Sequence, residues 1–348
     1  MTIETAFRPL LESNDALGDA SELKRRMDAD GYVFLRRLQD RDALTELRRD
    51  MLGAIGRGGW LRAGTDPIDG IAEVDARCTE GDLRYTDVYH QVYRLESFHR
   101  AGHWPEVLEV MQVFTGAPVF PHPHKIARLW FPQYTDHTTP VHQDFVHFQS
   151  SFDVYTCWTP VGDCPIELGP LAVLPGSHRR GRVLDHHFSL GAGSLTVDED
   201  AAAGAWRCSD FEAGDTLMFH CLTLHKALPN LTKDRLRISL DNRYHRQGST
   251  ISHHMLEPHL ANHSPLEWDE VYGSWQTDDL KYYWRRLEME VVPKDESFSE
   301  TAFDEALALV AQGDERARLF LSRIVARDPG SEAGQRAAGA LAAPDRRG

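Results

Sequence analysis

The stretch Val141–Gln149, VHQDFVHFQ, sets His142 two residues from Asp144 among aromatic and β-branched side chains. On a β-strand, residues i and i+2 point to the same face. The spacing therefore predicts an imidazole and a carboxylate side by side. Such a pair can be a hydrogen-bonded couple, an acid–base dyad, or two ligands of a metal. A further histidine, His225, ends the run DTLMFHCLTLH, which reads as a strand carrying Cys221, Thr223 and His225 on one face. Two imidazoles and one carboxylate fill one face of an octahedral ferrous ion and leave three adjacent positions open. Zinc accepts the same ligands, so the set alone does not name the metal.

A 2-oxoacid chelating such a metal needs a fixed cation for its distal carboxylate. A guanidinium suits the task, because its planar fork pairs with a carboxylate through two hydrogen bonds. The run RLRISLDNRY supplies Arg235, ten residues after His225, and Arg237 on the same predicted strand face. His147 and Gln149 follow the His-x-Asp pair and are candidates to face a substrate. His178 reads as a turn or surface residue.

Elements that position these residues are visible in the texture of the chain. SELKRRMDADGYVFLRRL predicts a helix from Ser21, a turn at Asp30-Gly31 and a strand over Tyr32–Leu35. DRDALTELRRDMLGAIGRGG predicts an amphipathic helix ending at its glycines, and HWPEVLEVMQVFTG another, with Gly116 as the terminating residue. From about 117 to 245 short β-rich runs follow: KIARLWFP, PVHQDFVHFQ, FDVYTCWTPV, GPLAVLP, DTLMFHCLTLH and RLRISLDNRY, separated by turn signals. This predicts a barrel or jelly-roll core. After 262 the chain turns helical again, with DDLKYYWRRLEMEV and three short candidates, TAFDEALALVAQG, ERARLFLSRIVAR and SEAGQRAAGALAA. They are expected to cap the β core.

Length and charge narrow the function. A chain of 348 residues makes one large domain or two modest ones. Formal net charge is −15 and no long Lys/Arg run offsets it, which argues against nucleic acid as a partner. No apolar stretch reaches the roughly 18 residues a membrane span requires, so no membrane partner is expected. The first fifteen residues lack a basic segment followed by an apolar run, so no secretory signal is expected. Five scattered cysteines without a CxxC fit a reducing cytoplasm rather than a disulfide framework. Oligomeric state cannot be read from the sequence.

His142-x-Asp144, GPLAVLPGSHRRG at 169–181, GDTLMFHCLTLH at 214–225 and RLRISLDNRY at 235–244 together resemble the phytanoyl-CoA dioxygenase family. DADGYVFLRRL resembles the family's N-terminal start, and the likeness spans roughly 20–250. The resemblance implies a mainly β fold with flanking helices: a double-stranded β-helix (jelly roll, cupin-like) core and a C-terminal helical extension. Its boundaries would be an oxygenase domain over 1–262, with the β core about 117–245, and the extension over 263–348. It implies a dioxygenase using Fe(II), 2-oxoglutarate and O2, hydroxylating a small-molecule substrate and releasing succinate and CO2. His142, Asp144 and His225 would hold iron and Arg235 the distal carboxylate. Lys125 and Trp158 fall where members place a polar and an aromatic residue on the co-substrate. Family members often carry Gly-Ser after the distal histidine, where this chain has Lys226-Ala227. The carboxylate of Asp144 implies hydroxylation, because related halogenases lack it. Two rival readings use the same residues: a cupin-like metalloenzyme without 2-oxoglutarate, and a non-catalytic binding member of the fold.

Overall fold

The computed structural model describes residues 7–135, 137–198, 200–261 and 264–343. Helix α1 (Ala20–Asp30) is capped by Asp19, whose side chain accepts from two backbone N–H groups, and ends at Gly31 in the left-handed conformation. A Cβ at Gly31 would collide with the His178 ring, so space as well as φ demands glycine there. Strand β1 (Tyr32–Leu35) and helix α2 (Arg41–Arg57) follow as expected. Helices α3 (Leu83–Tyr93) and α4 (Glu96–Ala101) have no counterpart among the expected elements; α5 (Pro105–Thr115), ending at Gly116, has one.

The β region comprises β2 (Val119–Pro121), β3 (Ile126–Trp130), β4 (Val154–Pro160), β5 (Leu171–Val173), β6 (His187–Phe188) and β7 (Leu195–Thr196). It continues with β8 (Thr216–His220), β9 (His225–Ala227), β10 (Arg237–Arg246) and β11 (Thr250–Ser252). One helical turn, α6 (Phe145–Phe148), lies between β3 and β4. Six strands form an antiparallel sheet in the order β1-β8-β4-β10-β2, with β3 also on β10. A small antiparallel ladder, β5–β9, stands apart from it.

Alternation along the large sheet decides what each face does. Val33, Leu35, Tyr155, Cys157 and Met218 point outward into a cluster shared with α1 and α5. Leu129, Ile238 and Leu240 point outward against α2 and α3. Phe34, Trp130, Trp158, Leu217 and Phe219 point inward and pack with Leu171, Val173 and Ala227 of the ladder. The described residues are 38% helical against 19% strand, so the expectation of a mainly β chain is corrected to mixed helices and antiparallel sheets.

Two further expectations fail. PVHQDFVHFQ is not a strand: only His142 forms a bridge, and Asp144 precedes the turn of helix α6. DDLKYYWRRLEMEV is not a helix. Tyr282 has φ of 50°, residues 283–286 form one tight turn, and β12 (Glu290–Val292) pairs parallel with β11. Aromatic packing of Tyr282 and Trp284 with Trp268 and Tyr272 replaces the local helical preference.

Helix α7 (Trp268–Tyr272) and Trp275 bury themselves in the cluster under α2 and α3. The expected division between 262 and 263 lies outside the described residues. Helices α8 (Ser297–Val310), α9 (Glu315–Arg327) and α10 (Glu332–Ala342) occur where expected. They share a cluster of their own around Phe303, Ala306, Val310 and Leu321. A chain ending at residue 297 is expected to keep iron and 2-oxoglutarate binding, because every residue proposed below for either lies before that point. Anaerobic titration checks it; a soluble truncated protein that binds no iron would make the last helices part of the metal-binding core.

Candidate metal centre

His142 and His225 face each other as a cross-strand pair: each backbone N–H donates to the other's carbonyl, at 3.1 and 3.2 Å. Opposed residues on paired strands point to one face, and the two ring centroids stand 4.2 Å apart. Asp144 reaches the same point by another route. The chain leaves the bridge at His142 and turns at Asp144 into α6, which swings the carboxylate back toward the rings. Its Oδ1 lies 3.4 Å from His142 Nε2 and 3.5 Å from His225 Nε2. One ligand atom from each of the three lies within 4.8 Å of the others, and all three residues are buried.

Hydrogen bonds fix which nitrogen each ring presents. His142 Nδ1 meets Pro140 O at 2.9 Å, and His225 Nδ1 meets Thr223 O at 3.0 Å. A carbonyl only accepts, so each Nδ1 carries the proton and each Nε2 keeps its lone pair toward Asp144. Burial, and the neighbouring His225, lower the pKa of His142, which keeps it neutral. Burial alone would raise that of Asp144. The adjacent Arg243 guanidinium overcomes it and holds the carboxyl well below its usual range.

Arg243 and Thr156 are two residues of the centre that the sequence motifs do not single out. Arg243 Nη2 donates to Asp144 Oδ1 at 3.2 Å, and Thr156 Oγ1 donates to Oδ2. The carboxylate is thus anchored at both oxygens. A period-two reading of β10 would have found Arg243, since Arg237, Asp241 and Arg243 alternate onto one face and line the pocket beside the triad.

That pocket also contains Trp130, Trp158, Thr156, His142 and His225. Arg237 is 1% exposed, its guanidinium carbon 3.6 Å from the centre of the Trp130 ring. Nη1 donates to Ser239 Oγ at 3.2 Å, while Nε and Nη2 have no hydrogen-bond partner among the described residues. The indole Nε1 of Trp158 also lacks one. Burial pulls the Arg237 pKa down to about 10, which leaves it cationic at neutral pH. Buried N–H donors without an acceptor are costly, and a carboxylate would satisfy them.

Arg235 and Lys125 lie elsewhere. Arg235 precedes β10, its backbone bridges Ile71, and its side chain lines a separate cavity with Arg48, Asp69 and Asp163. Its expected place beside the metal is corrected: the inward alternation of β10 begins at Arg237. Lys125 is turned away from the triad pocket. Its Nζ donates to His122 O at 3.2 Å and the Tyr283 hydroxyl at 3.4 Å, and burial lowers its pKa to about 7.

Lys125→Met is therefore expected to leave the KM for 2-oxoglutarate unchanged and to stabilise the fold. A lysine of pKa about 10.4 when unfolded costs stability as pH falls from there toward about 7, and the cost is constant below. The gain should be on the order of 2–5 kcal/mol at pH 7 and smaller at pH 10. Urea unfolding at both pH values checks it; an equal gain at each would remove the buried charge as its cause.

A larger cavity of about 700 Å³ opens on the same centre, lined by His142, Asp144, Val146, His147, Phe148 and Arg243 among others. Its size suits a small organic molecule. His147 and Gln149 both line it, although the Gln149 amide is held by the backbone of Asp295. His178 lies outside it, against the backbone of Asp28.

Among curated proteins, the chain is 28% identical over 269 residues to a 1-deoxypentalenic acid 11-beta-hydroxylase from Streptomyces arenae, covering 72% of this chain and 90% of that protein. A protein of the same name from Streptomyces exfoliatus is 26% identical over 259 residues, covering 70% and 87%. Among solved structures, the non-haem α-ketoglutarate-dependent carbocyclase SnoK from nogalamycin biosynthesis is 21% identical, with a TM-score of 0.49, covering 69% of this chain and 89% of that one. The sequence pattern of phytanoyl-CoA dioxygenase (PhyH) matches residues 27–239, more than half of the chain, and the protein therefore belongs to that family.

Proposed function

We propose that the protein is a non-haem Fe(II)- and 2-oxoglutarate-dependent dioxygenase that hydroxylates a C–H bond of a small-molecule substrate. The observation that carries this reading is a pairing of two sites. Two Nε2 lone pairs and one carboxylate oxygen converge, and beside them a buried guanidinium offers two unmatched N–H groups. The donor set fits ferrous iron, and the unmatched donors fit the distal carboxylate of 2-oxoglutarate. Iron with 2-oxoglutarate bound supplies the oxidising chemistry: O2 is consumed, CO2 and succinate are released, and an alcohol forms on the substrate.

The chain's own residues hold and orient. Pro140 and Thr223 carbonyls fix the tautomers of His142 and His225. Thr156 and Arg243 hold Asp144 at both oxygens, which leaves Oδ1 toward the histidines. Arg237, steadied by Ser239 and stacked on Trp130, takes the distal carboxylate in place of Arg235. Trp158 adds its indole N–H at the same pocket. A carboxylate at 144 supports hydroxylation over halogenation. The large sheet and the β5–β9 ladder read as the two faces of a double-stranded β-helix, with the centre between them.

The relatives' named substrate, 1-deoxypentalenic acid, is the first compound to test. No helix among the described residues is long and apolar enough to cross a membrane, and all five cysteines are buried and free, which supports a reducing cytoplasm. The test loads the protein anaerobically with Fe(II) and 2-oxoglutarate, admits O2, and follows succinate with and without 1-deoxypentalenic acid or a metabolite extract. No succinate under any condition would sink the reading.

A further inference from the structure

The family pattern stops at residue 239, yet the cavity beside the metal centre does not. Phe298 and Ala302 of α8, and Phe320 and Ile324 of α9, line the same cavity as His142 and Asp144, with Ser299, Arg323 and Arg327 of the same helices also on its wall. Ala302 packs directly with Val146 of α6, the turn that carries the His-x-Asp pair, and with Leu195. The wall is fastened in place. The Gln149 amide donates to and accepts from the Asp295 backbone at 2.9 and 2.6 Å. Glu305 lies 3.1 Å from His187 Nδ1, and Arg323 donates to Thr79 Oγ1 at 2.9 Å. The four preset apolar side chains of this wall recognise hydrocarbon by removing it from water.

We propose that α8 and α9 form the substrate-selecting wall of the cavity, and that the substrate is a hydrocarbon-bodied molecule whose far side rests on Phe298, Ala302, Phe320 and Ile324. The proposal rests on the oxygenase reading for the reacting end of the substrate, while the wall itself stands on the cavity lining. None of the residues assigned to iron or 2-oxoglutarate lies on either helix. Selectivity for size and shape therefore belongs to a part of the chain separate from the chemistry. In an apolar pocket, a methylene more or less of matching surface changes discrimination by about 10-fold or more.

The test uses four full-length proteins: wild type, Phe298→Ala, Ile324→Asp and Leu319→Asp. Leu319 is on α9 but 39% exposed and outside the cavity. Each is loaded anaerobically with Fe(II) and 2-oxoglutarate and titrated by calorimetry with dodecanoic acid and with abietic acid, a linear and a polycyclic probe. Wild type should bind at least one probe. Phe298→Ala and Ile324→Asp should weaken it at least tenfold, Leu319→Asp should not, and the visible band of the iron–2-oxoglutarate centre should be alike in all four. Should Ile324→Asp unfold, Phe298→Ala decides alone. Absence of probe binding by wild type, or equal binding by the wall variants, would overturn the proposal. Probe binding without the visible band would keep the wall and remove the iron reading instead.

Discussion

His142→Ala, Asp144→Ala and His225→Ala each abolish substrate-dependent succinate release, and each loses or weakens the visible band that wild type gives with Fe(II) and 2-oxoglutarate under anaerobic conditions. Each residue contributes a ligand atom to one small volume, and an open three-ligand site has none to spare. The three differ in stability. Removing either imidazole deletes a neutral ring. Removing Asp144 strands the buried guanidinium of Arg243, which has Asp144 Oδ1 as its carboxylate partner. Breaking such a pair costs about 3–5 kcal/mol, so Asp144→Ala should melt lowest. Asp144→Asn, which keeps an acceptor for Arg243, should recover part of the stability and none of the activity. Full turnover by either Asp144 variant would take this residue out of the centre.

Arg237→Ala raises the apparent KM for 2-oxoglutarate by roughly one to three orders of magnitude, on a cost of about 2–4 kcal/mol for stranding a buried carboxylate. Arg237→Lys recovers only part, because an ammonium cannot make two parallel hydrogen bonds or stack on Trp130 as the guanidinium does. Arg235→Ala changes KM little, since its side chain lines another cavity. A 2-oxoglutarate titration of the three variants, following succinate, tests both statements. A large change in Arg235→Ala with none in Arg237→Ala would reverse the assignment.

The three ligands were legible because imidazole and carboxylate at close spacing are rare enough to stand out, and a second histidine lay at the end of a β-rich run. The reason they meet was not legible. The run DTLMFHCLTLH reads as one strand. It breaks after His220, where the His220 Nδ1 accepts from Leu222 N–H and Thr223 Oγ1 donates to Gly31 O. Local side-chain bonds to backbone compete with a ladder in this way, and they free His225 to pair with His142. The choice between Arg235 and Arg237 depends on where β10 begins, and a two-residue ambiguity keeps the same face under a period of two. Lys125 follows from the family resemblance alone; its burial against Tyr283 depends on a segment 158 residues away. No local pattern announces that α8 and α9 wall a cavity, because amphipathic helices show an apolar stripe whatever covers it.

Strand β10 carries Arg237 and Arg243 six residues apart on one inward face, bonded along its edges to β4, β3 and β2. The proposed co-substrate anchor and the anchor of Asp144 thus ride on a single strand. A one-residue slip would turn both outward together, so the register of this strand decides both anchors at once. Helices α8–α10 keep a cluster of their own and meet the rest of the protein through polar ties and through the packing of Ala302 on Val146 and Leu195 and of Phe320 on Phe188. Sequence change there can reshape the cavity without moving the strand. Under the proposed division of labour, substitutions in α8 and α9 change the cavity while the residues proposed for iron and 2-oxoglutarate keep their places.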